Sequence, residues 1–262
     1  MRLYVEVARR SFQRHLAYRA ATLAGLFTNS VFGLMIASVY LALYRGYDRT
    51  DVAGFGVAEA LTFVWVGQSL LMVIAMWGWW EIAASVQSGD IVTDLMKPFN
   101  FHGYWLSRDL GRAACHALTR LAPTLLIGSL VSDLALPRSG GRWLAFLVSV
   151  VLAVLVSFGW WFLLNLSAFW LLDIRGVMTM SLMVAKFFSG FLVPLAFFPP
   201  GLRRLADLLP FRAIVMVPIE VFLGQRSLAS ALAIQCFWAV ALALLGQLCL
   251  RGAVRKMVIQ GG

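Results

Sequence analysis

The sequence predicts an all-α integral membrane protein with six transmembrane helices, an N-terminal amphipathic interfacial helix and short re-entrant external helices before the last span. Three observations carry this. Of 262 residues, 61% are hydrophobic and only 13% charged, whereas a soluble domain carries about 25% charged residues. Apolar runs of about 20 residues recur, each long enough to cross about 30 Å of hydrocarbon. The runs are continuous rather than alternating, which suits helices and not barrel strands.

Residues 1–19 hold Arg2, Arg9, Arg10, Arg14 and Arg19 against one acid, Glu6. Leu3, Val5, Val7, Phe12 and Leu16 are interleaved with the arginines, the pattern of a helix lying in the membrane interface. The first span covers Ala20–Leu43 and a polar loop follows over Tyr44–Phe55. The second span, Val57–Trp80, ends in Trp77, Trp79 and Trp80, aromatics of the headgroup level. A polar interval over 81–112 separates it from the third span, Ala113–Leu136, which contains Pro123. A turn at Pro137–Arg142 leads to a long fourth span, Trp143–Leu172. Asp173–Gly176 is a short hydrophilic turn before the fifth span, Val177–Phe198, which stops at Pro199 and Pro200. The segment 199–226 is apolar but interrupted by Pro210 and Pro218, and reads as re-entrant or interfacial helix. The last span covers Leu228–Leu250. A five-span alternative joins residues 211–226 to it.

The net charge is +10. Basic residues at span ends set topology and meet anionic lipid, so the charge points to membrane rather than nucleic acid. With six spans, thirteen basic residues fall at the termini and even-numbered loops and eight on the other side. The termini and the 81–112 interval are therefore expected in the cytoplasm.

The sequence has no GxxxxGK[ST] phosphate cradle, no HExxH and no Cys/His metal spacing. Cys115, Cys236 and Cys249 read as packing residues, and His15, His102 and His116 are scattered. No catalytic residue, metal site or cofactor is expected in this chain. Lys186 falls near the middle of a span, as a substrate counter-ion or as a structural partner of a neighbouring span. Asn29, Gln68 and Asn165 read as interhelical hydrogen-bond partners. An ion-coupled carrier or channel would need intramembrane acids or an inverted repeat, and neither is evident.

Within the polar interval, Ser88 or Asp90 could cap a short helix through Ile91, Val92, Leu95 and Met96, stopped at Pro98. Ile91, Val92 and Leu95 would form an apolar face and Asp90, Asp94 and Lys97 a polar one. Such a helix can dock into a groove on another protein.

Two stretches are familiar. SGDIVTDLMKPFNFHGYWLSRDLGR at Ser88–Arg112 and SGFLVPLAFFPPGLRRLADLLPFRAIVMVPIEVFLG at Ser189–Gly224 resemble the permease subunits of bacterial type-2 ABC exporters, in the six-span subfamily. The resemblance implies an exporter subunit, multidrug efflux among its activities, in the bacterial cell membrane. It implies a second permease copy or paralogue and two separate ABC ATPase subunits that bind ATP and Mg. The loop after the second span would carry the coupling helix, with Gly89, Asp90, Asp94, Leu95, Lys97 and Pro98 at the ATPase contact. Arg108 and Gly111 would begin the approach to the third span, and Leu171–Gly176 would add a smaller contact. Candidates for the translocation cavity are Trp65, Gln68, Met72, Met183, Lys186 and Phe187.

Overall fold

The computed structural model describes residues 1–46, 55–171 and 173–260, with the backbone alone at 46 and 256–260. Twelve helices are seen among them: α1 (Arg2–Ala17), α2 (Arg19–Gly46), α3 (Val57–Leu70), α4 (Glu81–Ser88), α5 (Ile91–Leu95), α6 (Phe101–His116), α7 (Ala122–Val131), α8 (Gly140–Leu166), α9 (Arg175–Phe188), α10 (Pro200–Asp207), α11 (Met216–Leu223) and α12 (Leu228–Gln260). Four continuous stretches are long and apolar enough to cross a membrane: Arg19–Arg45, Phe101–Val131, Gly140–Phe169 and Leu228–Arg255. Most of the loop expected at Tyr44–Phe55, and Leu172 in the expected fourth span, lie outside the described residues.

The second and fifth segments differ from expectation. The second ends as α3 at Leu70, turns through Leu71–Trp80 and resumes as α4. Ala75 and Gly78 take positive φ there, 49° and 72°. The fifth is the 14-residue α9, followed by a turn in which Gly190 has φ 78°. The third begins at Phe101, well before the expected Ala113. Its polar residues mislead because they are paired within the helix: Arg112 Nε donates to Asp109 Oδ1 at 2.7 Å. A π-helical turn, Ala117–Leu121, sits between α6 and α7 just before Pro123. It lets the helix continue past a residue that cannot donate a backbone hydrogen bond.

α8 is the central post. Gln235 of α12 accepts from Ser149 Oγ at 2.9 Å and donates to the carbonyls of Ser149 and Ala213, at 3.0 and 2.9 Å. α12, α8 and the turn before α11 are thereby tied at one end of the bundle. α11 is buried along Met216–Phe222, with Phe222 against Phe146 and Trp143 of α8. It closes at Gly224, φ 72°, and α12 begins separately at Leu228. Residues 211–226 are thus not joined to the last helix, unlike the arrangement the five-span alternative required.

The break in the second segment is sewn to its neighbours. A helix interrupted in hydrocarbon leaves carbonyls and amides that water cannot reach, so protein groups must satisfy them. Arg112 donates to the carbonyls of Met72 and, at 3.0 Å, Val73. Ser157 of α8 donates to the Ile74 carbonyl. Asn165 Nδ2 donates to the Trp79 carbonyl at 2.8 Å, and its Oδ1 accepts from the Ala83 amide at 3.0 Å. Asn165 is the interhelical partner its sequence position suggested. Replacing it by Leu orphans one carbonyl and one amide, each costing roughly 1–3 kcal/mol. Thermal unfolding in detergent should show Asn165→Leu melting roughly 5–10 °C below the parent; an unchanged Tm would mean the break is held elsewhere.

Candidate functional site

Gly89 ends α4 in the left-handed region, φ 83°, with open space where a Cβ would point. It is needed for its backbone, which swings the chain from α4 into α5. The expected caps are absent: neither Ser88 nor Asp90 satisfies an α5 amide with its side chain. Ser88 Oγ instead donates to Asp90 Oδ2 at 2.7 Å. Lys97 pairs with Asp94 at 2.6 Å on the surface, and that hydrogen bond holds the Lys97 amine above its ordinary range. Pro98 follows, and Asn100 caps α6 by accepting from the Gly103 amide at 2.7 Å.

The faces of α5 differ from the expected ones. Ile91 is buried in a cluster with Ile82, Phe101, Trp105, Phe158, Phe162 and Leu166, and Leu95 packs partly against it. Val92 and Met96 point outward, 45% and 80% exposed. A five-residue helix of mostly apolar side chains does not reveal which side is filled; the aromatic seat on α6 and α8 decides it. That seat is continuous: Trp79 stacks on Trp105 at 5.6 Å and on Phe158 at 5.9 Å, and Phe158 on Phe162 at 5.5 Å. Trp79 is also the residue whose carbonyl Asn165 holds. The seat of α5 and the break in the second segment therefore share a side chain.

α1 braces the same region. A Cβ on Gly111 would overlap the Ala8 carbonyl, so this glycine permits close packing of α1 on α6. Ser11 Oγ donates to the Arg108 carbonyl at 2.6 Å, and the Asn100 amide donates to Tyr4 Oη at 3.0 Å. Arg108 lies over the Trp105 ring at 4.7 Å and bonds Glu81 at 3.0 Å. The tie from Tyr4 to Asn100, just after α5, was not expected; Asn100 ahead of an amphipathic run was the signal available for the start of α6. Of the Leu171–Gly176 turn, Asp173 Oδ1 accepts from the Arg175 amide at 2.8 Å, while Leu172 lies outside the described residues.

The six cavity candidates are not brought together as one lining. Trp65 is fully buried, its ring pressed on Gly33 and Gly128 and its Nε1 donating to Ser132 Oγ at 3.1 Å, a packing position. Gln68 is buried, and its carbonyl accepts from Asn29 at 3.3 Å. Met72 is half-buried at the break. Met183 and Phe187 are on the exposed side of α9. Lys186 is buried with its Nζ 3.5 Å above the Trp77 ring, a cation–π partner across two segments.

A family model described as "ABC-2 family transporter protein" matches residues 32–261. The chain belongs to this family. No curated protein gives a significant match. This ABC-2 chain is a permease of type-2 ABC transport and a multi-pass membrane protein, a transport component rather than a catalyst. Permeases of the family associate with ABC ATPases in general.

The inward and outward sides of α5 make separable predictions. Ile91→Ala removes a fully packed side chain and should cost about 2–4 kcal/mol locally. Hydrogen exchange of the amides 91–97 should accelerate in Ile91→Ala and stay unchanged in Met96→Ala. Equal exchange in both variants would refute the seating described.

Proposed function

We propose that this permease is the membrane subunit of an ATP-driven exporter and that α5 is the coupling helix through which ATPase subunits act on it. The observation that carries the proposal is the two-sided placement of α5. Val92 and Met96 are presented outward, as an apolar pair flanked by Asp90 and Lys97. Ile91 is seated in the aromatic cluster beside the break. A small apolar knob rimmed by charge fits a groove on a soluble partner.

In this reading the chain makes six passes, four as continuous helices and two as the broken segments around α3 and α9. Cys249 and Leu250 of α12 pack on the cluster that seats α5, and α1 braces α6 beside it. Both ends of the chain thus lie with α5, which supports a shared cytoplasmic side. Two ABC ATPases would bind ATP and Mg there, and a second permease copy or paralogue would complete the path in the bacterial cell membrane. Closure of the ATPases would press Val92 and Met96. The displacement would pass through Ile91 to Phe101, Trp105, Phe158 and Phe162, and from Trp79 to the Leu71–Gly78 break. A pass already interrupted needs no new hydrogen bonds broken along a helix to bend. Gly89, Asp90, Asp94, Lys97 and Pro98 shape or rim the contact, and Leu95 acts from beneath it.

The test uses tagged full-length permease isolated from its native membranes. An ATPase with vanadate-sensitive ATP hydrolysis should accompany the parent. Met96→Asp combined with Val92→Asp places two charges in a contact that excludes water. ATPase recovery should fall roughly tenfold or more, a loss of about 1.4 kcal/mol or more, while the Tm of the permease stays put. Undiminished recovery with the double variant, or no ATPase with the parent, would sink the proposal.

A further inference from the structure

The end of the bundle away from α5 carries a second concentration of chemistry. A recess of about 360 Å³ opens between α10, α11 and Phe55, with Arg203, Arg212, Glu220 and Arg226 in its wall. A neighbouring recess of about 280 Å³ contains Arg142 and shares Arg226. Four guanidinium groups thus border two adjoining recesses.

The carboxylates there are already used. Glu220 Oε1 accepts from Arg212 Nη2 at 2.6 Å, and Glu220 Oε2 accepts from Arg226 Nε at 2.6 Å. Asp207 pairs with the other terminal nitrogen of Arg212. Arg203 and Arg142 have no acidic partner among the described residues. Arg212 is buried, and its Nε makes no hydrogen bond. Counting the described residues, the region therefore holds two guanidinium charges more than its carboxylates neutralise. Glu220 neutralises one charge and, with one oxygen on each, fixes Arg212 and Arg226 in place.

The backbone is shaped to admit Arg142. Gly224 ends α11 with φ 72°, and a Cβ there would lie 2.6 Å from the Arg142 Cζ. Arg142 thus rests against the C-terminal end of α11, where the helix dipole favours a cation. Depth is indicated by α10. Arg203 and Arg204 are exposed on it beside the exposed Leu205 and Leu208, the pattern of a helix lying at headgroup level.

We propose that this arginine-lined recess binds a phosphate-bearing anion at headgroup depth, on the face of the permease opposite α5. Planar guanidinium groups donate in pairs to phosphate oxygens, and several held in a partly apolar concavity bind an anion more strongly than separate surface charges. Two sources share this chemistry: the headgroup of an anionic phospholipid and a soluble phosphate. The inference stands on the recess alone and does not depend on α5 being the coupling helix.

The experiment uses full-length protein in neutral detergent. Thermal stabilisation is measured with added phosphatidylglycerol against phosphatidylcholine, and with inorganic phosphate against chloride at matched ionic strength. Lipid retained on the protein is counted by native mass spectrometry. Phosphatidylglycerol or phosphate should raise the Tm of the parent. The concentration required should rise roughly tenfold in Arg203→Gln and further with Arg142→Gln added, each removing a charge-assisted contact. Arg204→Gln, off the recess, should behave as the parent. A shift with phosphatidylglycerol alone identifies the lipid as the source, and a shift with inorganic phosphate identifies the soluble anion. Stabilisation that is equal in the parent and Arg203→Gln overturns the proposal. So does a parent that responds to neither probe and retains no more phosphatidylglycerol than phosphatidylcholine, whatever the stability of the variants.

Discussion

The structure rests on the satisfaction of backbone groups where the second membrane segment breaks. In hydrocarbon a broken helix exposes peptide groups to a solvent that cannot bond them, and the cost of each forces the surroundings to supply partners. Arg112, Ser157 and Asn165 do so here, from α6 on one side and α8 on the other. These polar side chains determine which helices pack around the break. Arg112 reaches the Met72 and Val73 carbonyls from within α6, so this charged residue belongs to the helix and not to a loop. The same side chains also explain a left-handed alanine, Ala75, which L side chains adopt only when the surroundings compel it.

The same break connects the chain's polar surface to its core. α5 has too few residues to hold its own conformation, because helices this short are not stable on their own. It is ordered by Ile91 entering a cluster of aromatic rings from α6 and α8. Trp79 joins that cluster from one side and the break from the other. The protein thereby places its least self-sufficient helix against its least regular membrane segment, with a stack of rigid rings between. Rings in close contact shift together rather than deform, since packed interiors have little free volume.

Much of this was legible in the sequence. α2, α8 and α12 follow from long apolar runs. The separate α10 and α11 follow from Pro199, Pro210 and Pro218, and the bounds of α5 from Gly89 and Pro98. The break was not legible. LMVIAMWG at Leu71–Gly78 is as apolar as any span, and what interrupts it is the set of side chains sewing its carbonyls, distant in sequence. The long α6 was hidden for the converse reason: Arg108, Asp109 and Arg112 look like a loop until their partners are known. For the candidate site, position could be read and orientation could not. Ile91, Val92 and Leu95 are alike in hydropathy, and the cluster built by Phe101 and Trp105 of α6 with Phe158 and Phe162 of α8 takes Ile91 into the interior. Nothing around Trp65 in the sequence shows that its ring lies against Gly33 and Gly128, from two other helices.

α8 unites the two ends of the molecule. Its 27 residues span about 40 Å at 1.5 Å per residue. At one end Trp143 and Phe146 press on α11 beside the arginine recess; at the other Phe158, Phe162 and Leu166 form the seat of α5. Between them Ser149 ties it to α12 and Ser157 to the break. A helix bonded at each of these levels cannot bend to absorb a displacement at one end without losing buried hydrogen bonds. Its hydrogen bonds to α12 and to the break hold it straight between the seat of α5 and the recess. The broken segments around α3 and α9 interrupt their helical ladders beside it, at Ala75 and Gly78 in one and at Gly190 in the other, and the first is itself bonded to α8 by Ser157 and Asn165. If α5 is the coupling helix proposed above, α8 is the element through which a push at its seat would reach the opposite end of the bundle.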